Sequence, residues 1–228
     1  MKSRDCLVYV STAQRDIIPS LFCEDRIYDV AINDYAGTGV CAAFRSELSY
    51  DAKGLKFQTI RANIADILSR PYEQFAFIDD DLIFDTKQAN RLFQIGKQLE
   101  LSLWQPAHTK ESHNVHPSLY QKSDSLVRKA DFVEVMCPFF SRNALLAVEP
   151  YLHLSESGWG LDVLWPYLLP ARGVAIVDCE TIVHTRPSGS GTHRTTKGIT
   201  ARDELNHIRK LITEDSWRSQ RKGEHCER

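Results

Sequence analysis

Short apolar runs alternate with amphipathic stretches through the first hundred residues. Cys6–Val10 (CLVYV) reads as a strand, and residues 19–27 (PSLFCEDRI) have helical character. Tyr28–Asp34 (YDVAIND) is a second strand that runs into polar residues. Between 54 and 71, Phe57, Ile60, Ile64, Ile67 and Leu68 recur at spacings of three and four, the apolar stripe of a helix that stops near Pro71. QFAFIDDDLIFD (74–85) is an apolar strand closing in a burst of carboxylates, and residues 86–101 return to helical spacing with Thr86 as N-cap. Strand, helix, strand, helix in this order predicts an α/β fold: a mostly parallel sheet covered by helices on both faces.

The second half is less regular. Residues 104–126, rich in His, Pro and Ser, read as a long loop or hairpin, and Phe132–Phe140 as a strand. A short helix is expected over 141–152, a turn and helix over 155–169, and one strand or two over 173–187. From Ser188 the chain is rich in Gly, Ser and Thr, then charged, with a last helix over 200–213. Ser188–Gly198 suits either a lid, with His193, Arg194 and Lys197 closing on a diphosphate, or a plain linker.

Composition narrows the classes. At 228 residues, 43% hydrophobic and 25% charged, the chain suits one compact domain with a sizeable core. A formal charge of −2 argues against a nucleic-acid partner. No window offers the roughly 18–20 apolar residues of a transmembrane helix, and the N-terminal apolar run is too short for a signal peptide. Six scattered cysteines without a C-x-x-C pair point to reduced thiols and a cytoplasmic setting. Residues 188–228 carry nine Lys/Arg against six Asp/Glu, which leaves a peripheral contact with an anionic membrane open.

Phe77-Ile78-Asp79-Asp80-Asp81-Leu82 is the sharpest feature. Side chains alternate along a strand, so Asp79 and Asp81 project together and Asp80 the other way. Three adjacent carboxylates repel one another, and an oxygen-seeking Mg²⁺ or Mn²⁺ would remove that penalty. The carboxyl end of a strand in an open α/β sheet is also where ligands bind. A solvated acidic turn, with Asp85 as a further surface charge, is the alternative.

These residues resemble the Asp-x-Asp motif of the GT-A nucleotide-sugar glycosyltransferases. Ser157-Gly158-Trp159-Gly160-Leu161-Asp162 resembles their acceptor-side segment, and Val183-His184-Thr185-Arg186-Pro187 the late segment whose His completes the metal site in some of them. The same segments are similar to a domain family placed near the glycosyltransferases whose donor and acceptor are unassigned. The resemblance spans residues 6–187. It implies a GT-A (Rossmann-like) fold, with a nucleotide-binding half over about 1–103, an acceptor half over about 104–187 and a lid and helical tail over 188–228. It also implies a Mn²⁺ or Mg²⁺ cofactor held by Asp79, Asp81 and His184, with the nucleotide ribose as another partner for the aspartates, and a nucleoside-diphosphate sugar as donor; a hydrogen-bonded core histidine is the alternative role for His184. The acceptor would be a glycan or a lipid-linked saccharide.

A hydroxyl acceptor is a weak nucleophile and needs a positioned base, for which Asp162 is the candidate; helix capping is its alternative role. Gly158 and Gly160 would let the backbone approach a ligand, and Trp159 would stack on a sugar or pack in the core. Ser11, Thr12, Asn33, Asp34 and Tyr35 follow the first two strands and would meet the nucleotide at the same sheet edge as Asp79 and Asp80. Lys53, Lys56 and Arg61 would meet a base or phosphate, or form an exposed basic face. Gly37-Thr38-Gly39 falls short of a dinucleotide fingerprint. Trp104, His108, His113 and His116 fall in the mid-chain segment, read as acceptor-binding or merely polar rather than as a zinc site. A sugar-phosphate nucleotidyltransferase is a competing reading, weakened because Ser11–Asp16 lacks glycine; a non-catalytic carbohydrate- or nucleotide-binding module is another.

Overall fold

The computed structural model of the protein describes residues 4–12, 18–23, 25–113, 116–187 and 195–214. Its centre is a mixed, mostly parallel nine-stranded sheet in a single domain. In chain order the elements are β1 (Cys6–Thr12), β2 (Tyr28–Asp34), α1 (Val40–Phe44), β3 (Leu48–Tyr50), α2 (Lys56–Ser69), β4 (Gln74–Ile78), β5 (Leu82–Ile83) and α3 (Thr86–Gln98). There follow β6 (Leu103–His108), β7 (Val127–Lys129), β8 (Phe139–Ser141), α4 (Arg142–Val148), α5 (Leu161–Leu168), β9 (Val174–His184) and α6 (Ala201–Thr213). The strands lie in the order β3-β2-β1-β4-β8-β6-β9-β5, with β7 on the side of β9. The long pairings, β1 with β2 and β4 and β6 with β9, are parallel; the antiparallel ones are two or three residues long.

Why the strands read as unbroken apolar runs is visible in β1. Leu7 and Tyr9 enter a core built with α2, α4 and α5, while Cys6, Val8 and Val10 enter a second core built with α3. Both faces of the sheet are covered, so both side-chain registers must be apolar.

Several expectations need correction. Residues 19–27 form only a 3₁₀ turn at Ile18–Leu21. Asp85, not Thr86, caps α3: its carboxylate accepts from the Gln88 amide at 2.8 Å, and the Gln88 side chain returns to the Asp85 N–H. The segment after 103 opens with a fully buried strand, β6, before it becomes irregular. Of the expected strand over 132–140, only Phe139 and Phe140 pair, because the residues before them turn to bring backbone carbonyls onto Lys56. Residues 173–187 hold one strand, β9, with a register shift opposite Pro106/Ala107. The five described cysteines are unpaired thiols, and no helix among the described residues is long and apolar enough to cross a membrane.

Candidate active site

The carboxyl ends of β1, β2 and β4 meet at one sheet edge, and the end of β9 is brought there by pairing with β5, Leu82 opposite His184. The chain leaves β4 at Ile78, so Asp79, Asp80 and Asp81 fall in the tight connection to β5. Each carboxylate takes a different partner. Asp79 meets the Lys56 ammonium at 2.6 Å, Asp80 accepts from the Thr12 hydroxyl at 2.7 Å, and Asp81 Oδ2 lies 3.1 Å from His184 Nε2. Although all three lie beyond the strand, in the turn rather than on β4 as expected, Asp79 and Asp81 line one cleft of about 440 Å³ and Asp80 does not.

His184 is well fixed. Its Nδ1 donates to the His113 carbonyl at 2.9 Å, which turns Nε2 towards Asp81. Desolvation raises the Asp81 carboxyl, but the hydrogen bond and charge of His184 outweigh it and hold Asp81 below its usual range. Burial opposes the His184 imidazolium, yet the same contact lifts it above the ordinary histidine value. Asp81 Oδ1 is buried and has no hydrogen-bond partner among the described residues.

Asp81 and His184, with that orphan oxygen and a histidine anchored through its far nitrogen, suit a two-ligand divalent site. The three-ligand set with Asp79 is not formed. Asp79 is taken up by Lys56, and among the described residues no group of three His, Cys, Asp or Glu side chains is arranged to hold a metal.

Lys56 is not the exposed cation of the helix-face alternative. Its ammonium also donates to the carbonyls of Phe77, Val135 and Met136 at 3.0, 2.7 and 3.1 Å, so it braces the start of α2 against the end of β4 and the 135–136 turn.

Asp162 lines the same cleft. It sits in the first turn of α5, whose N-cap is Gly160, and its Oδ1 accepts from the Gly160 and Val163 amides at 3.0 and 2.9 Å. Asp162 therefore serves the helix start as well as facing the cleft. Desolvation pushes its carboxyl up to about 6, against those two amides and Arg209. Trp159, half-buried, lines the cleft beside it.

The glycines that flank Trp159 do something other than expected. A Cβ at Gly158 would meet the Phe57 ring at 2.6 Å, and one at Gly160 would meet Ile208 at 2.8 Å and the Leu205 backbone at 3.2 Å. Both have positive φ, so they allow a tight turn to nest between α2 and α6, although Gly160 also borders the cleft. Glu204 of α6 fastens that turn, accepting from the Ser155 hydroxyl and the Glu156 and Ser157 amides at 2.8, 2.8 and 3.1 Å.

Trp104 is elsewhere. It is fully buried, stacked on Phe139 and pressed against Gly96, with its indole N–H on the Leu92 carbonyl at 3.1 Å; it is a packing residue, not an acceptor contact. Ser11 and Thr12 end β1 at the right edge but do not line the cleft; Ser11 accepts from Asn33 and Thr59. Asp34 spends its carboxylate on the Thr38 and Gly39 amides at 2.9 and 2.7 Å, closing the loop that holds Gly37-Thr38-Gly39. His108 is buried, while His116 reaches the cleft against Phe132. His193 and Arg194 lie outside the described residues, as does most of the lid expected over 188–198.

Sequence reasoning missed Glu134 and the α6 residues Arg202, Leu205 and Arg209, all of which line the cleft. Signals existed for both. Glu134 is a lone acid in an apolar run, and Arg202 and Arg209 are seven apart, on one face of a helix.

The fold resembles that of solved structures of S. aureus TarS. S. aureus TarS 1–349 in complex with UDP-GlcNAc superposes with a TM-score of 0.61 at 11% sequence identity, covering 91% of this chain and 65% of that one. A second crystal structure of S. aureus TarS 1–349 gives 0.50 at 12% identity, covering 78% of this chain and 59% of that one. The chain thus spans a little under two thirds of the TarS structures it matches. No protein-family profile matches the sequence, and no curated protein is significantly similar to it.

Proposed function

We propose that this protein is a metal-dependent glycosyltransferase that moves a sugar from a nucleoside-diphosphate sugar to a hydroxyl acceptor, a glycan or a lipid-linked saccharide. One observation carries the reading: Asp81 and His184, separated by 103 positions, share a single cleft with Trp159 and Asp162. The glycosyltransferase-like fold supports it, and the UDP-GlcNAc of the TarS complex makes that compound the first donor to try.

Asp81 and His184 would hold Mn²⁺ or Mg²⁺, which keeps few protein ligands and completes its shell with substrate phosphates and water. The ion would supply Lewis acidity to the departing diphosphate. Asp79 is a positioning residue, tied to Lys56 and through it to the cleft wall. Asp162 would take the acceptor hydroxyl's proton; a carboxyl near 6 is ionised at neutral pH and still basic enough for the task. A base facing the acceptor directs attack opposite the leaving group, so the anomeric centre inverts. Trp159 offers the sugar an apolar face. Ser11, Thr12 and Asp80, at the edge of β1 and β4, would serve the nucleotide from outside the cleft, and residues 1–103 and 104–187 would supply the donor and acceptor halves.

A thermal-shift titration with UDP and UDP-GlcNAc, with and without Mn²⁺, tests this. Stabilisation that needs both metal and nucleotide, and that Asp81→Ala abolishes while the variant stays folded, is the expected result. Unchanged nucleotide affinity in folded Asp81→Ala would overturn the site.

A further inference from the structure

Glu134 is the most unusual group in the cleft that the proposed transfer leaves unused. Its amide donates to the side chain of Gln105 on β6, and its carboxyl is about nine-tenths buried while lining the cleft. Burial is not compensated by hydrogen bonding. Oε2 has no hydrogen-bond partner among the described residues, and neither does His108 Nε2, 3.5 Å away. A buried polar atom left open costs stability, and a ligand that supplies its partner recovers that cost.

The surroundings also decide which protons are available. Ser112 Oγ accepts the His184 amide at 2.8 Å and lies 2.7 Å from His108 Nδ1. On the other side of the ring, His108 Nε2 stands 3.5 Å from Glu134 Oε2. Desolvation, reinforced by the Asp162 charge, pushes the Glu134 carboxyl up to about 8, so it is mostly a neutral acid at pH 7; burial likewise pushes His108 down to about 4 and keeps it neutral. An acid held neutral is a hydrogen-bond donor, and its proton is available to the cleft it lines.

We propose that Glu134 is a specificity residue that reads an uncharged polar group, a ring hydroxyl or acetamide, on the sugar being transferred. The inference rests on the glycosyltransferase reading. Between the diphosphate end at Asp81 and His184 and the acceptor base Asp162, the transferred ring is the part of the substrate left to fill the cleft, and Glu134 lines that same cleft. A site built to bond a hydroxyl discriminates strongly against an analogue lacking it.

The experiment is calorimetric titration at pH 7 with Mn²⁺, using UDP and a panel of UDP-GlcNAc, UDP-glucose and UDP-galactose, on the full chain and on Glu134→Ala and Glu134→Gln. The wild type should bind its preferred UDP-sugar more tightly than UDP. Glu134→Ala should shrink that margin tenfold or more with UDP affinity unchanged, and Glu134→Gln, whose amide N–H replaces the acid proton, should keep most of it. A margin that survives in Glu134→Ala overturns the proposal. So does equal weakening of UDP and UDP-sugar, the sign of a purely structural role, or a Gln variant as damaged as the Ala one, which would require an ionised carboxylate. Failure of the wild type to bind any of these ligands removes the glycosyltransferase reading itself, and Glu134's role with it.

Discussion

Asp81 and His184 face one another at 3.1 Å although 103 positions separate them, because the two-residue strand β5 pairs antiparallel with the end of β9 and sets Leu82 opposite His184. Asp81, one residue before the pairing, is thereby delivered to the imidazole. The pair's acid–base behaviour follows from that contact.

Asp81 sits below its ordinary range and His184 above its own. A depressed carboxyl contributes stability above its unfolded pKa of about 4 and loses it as pH falls through the folded value. A raised histidine contributes below its unfolded pKa of about 6.5 and loses it as pH rises through the folded value. The contribution of the pair is therefore greatest between about pH 4 and 6.5. Asp81→Asn should lower the melting temperature more at pH 6 than at pH 9, as thermal unfolding at the two pH values will show.

Lys56 holds Asp79 and three backbone carbonyls at once. Replacing it with Met keeps the stem and removes the donor from the Val135 carbonyl and from a half-buried carboxylate, although the Met136 carbonyl keeps the Asp79 amide. Hydrogen bonds to a charged group are worth about 1.5–3 kcal/mol, so Lys56→Met should destabilise by about 2–3 kcal/mol in urea unfolding. Arg61→Met, one and a half turns along the same helix, should change stability by under about 0.5 kcal/mol, since it makes no ion pair among the described residues.

Asp162 should impose an acid limb on transfer. With its carboxyl near 6, kcat should rise as pH increases through about 6 and flatten above 7. Arg209 lowers that value, so Arg209→Ala should move the limb to higher pH, and Asp162→Asn should abolish it with most of the activity. The stability effect has the opposite sign to that of Asp81. A raised aspartate binds more protons folded than unfolded between about pH 4 and 6, so its folded state loses stability as pH rises there, and Asp162→Asn should be no less stable than wild type at pH 7.

Gly160→Ala tests the packing of α6. The added Cβ would stand 2.8 Å from Ile208 and 3.2 Å from backbone at Leu205, at a φ of +94°. Overpacking of this kind costs about 1–3 kcal/mol. A matching fall in unfolding free energy is expected, whereas Gly37→Ala, with open space around it, should cost only the strain of its positive φ.

The α/β class was legible because β1, β2, β4 and α2 follow local rules. Two-sided burial makes strands continuously apolar, and one-sided burial spaces Phe57, Ile60, Ile64 and Ile67 at helical intervals. The acidic cluster at Asp79–Asp81, the Gly158–Asp162 segment and His184 were also visible one by one, as residue types whose chemistry is conspicuous in any setting. What the chain order could not show is partnership. That Lys56 claims Asp79, that Asp34 is spent on its own loop, and that Trp104 is sealed against Gly96 depend on contacts among residues far apart in sequence.

Glu134 marks the boundary most clearly. Its letter in an apolar run signals a buried charge, but its protonation depends on desolvation by its surroundings and on Asp162, which the sequence lists 28 positions later. Local propensity and burial pattern are properties of a stretch of chain and can be read from it. The partner of a carboxylate, and so its charge, belongs to the folded neighbourhood, and only the tertiary structure decides it.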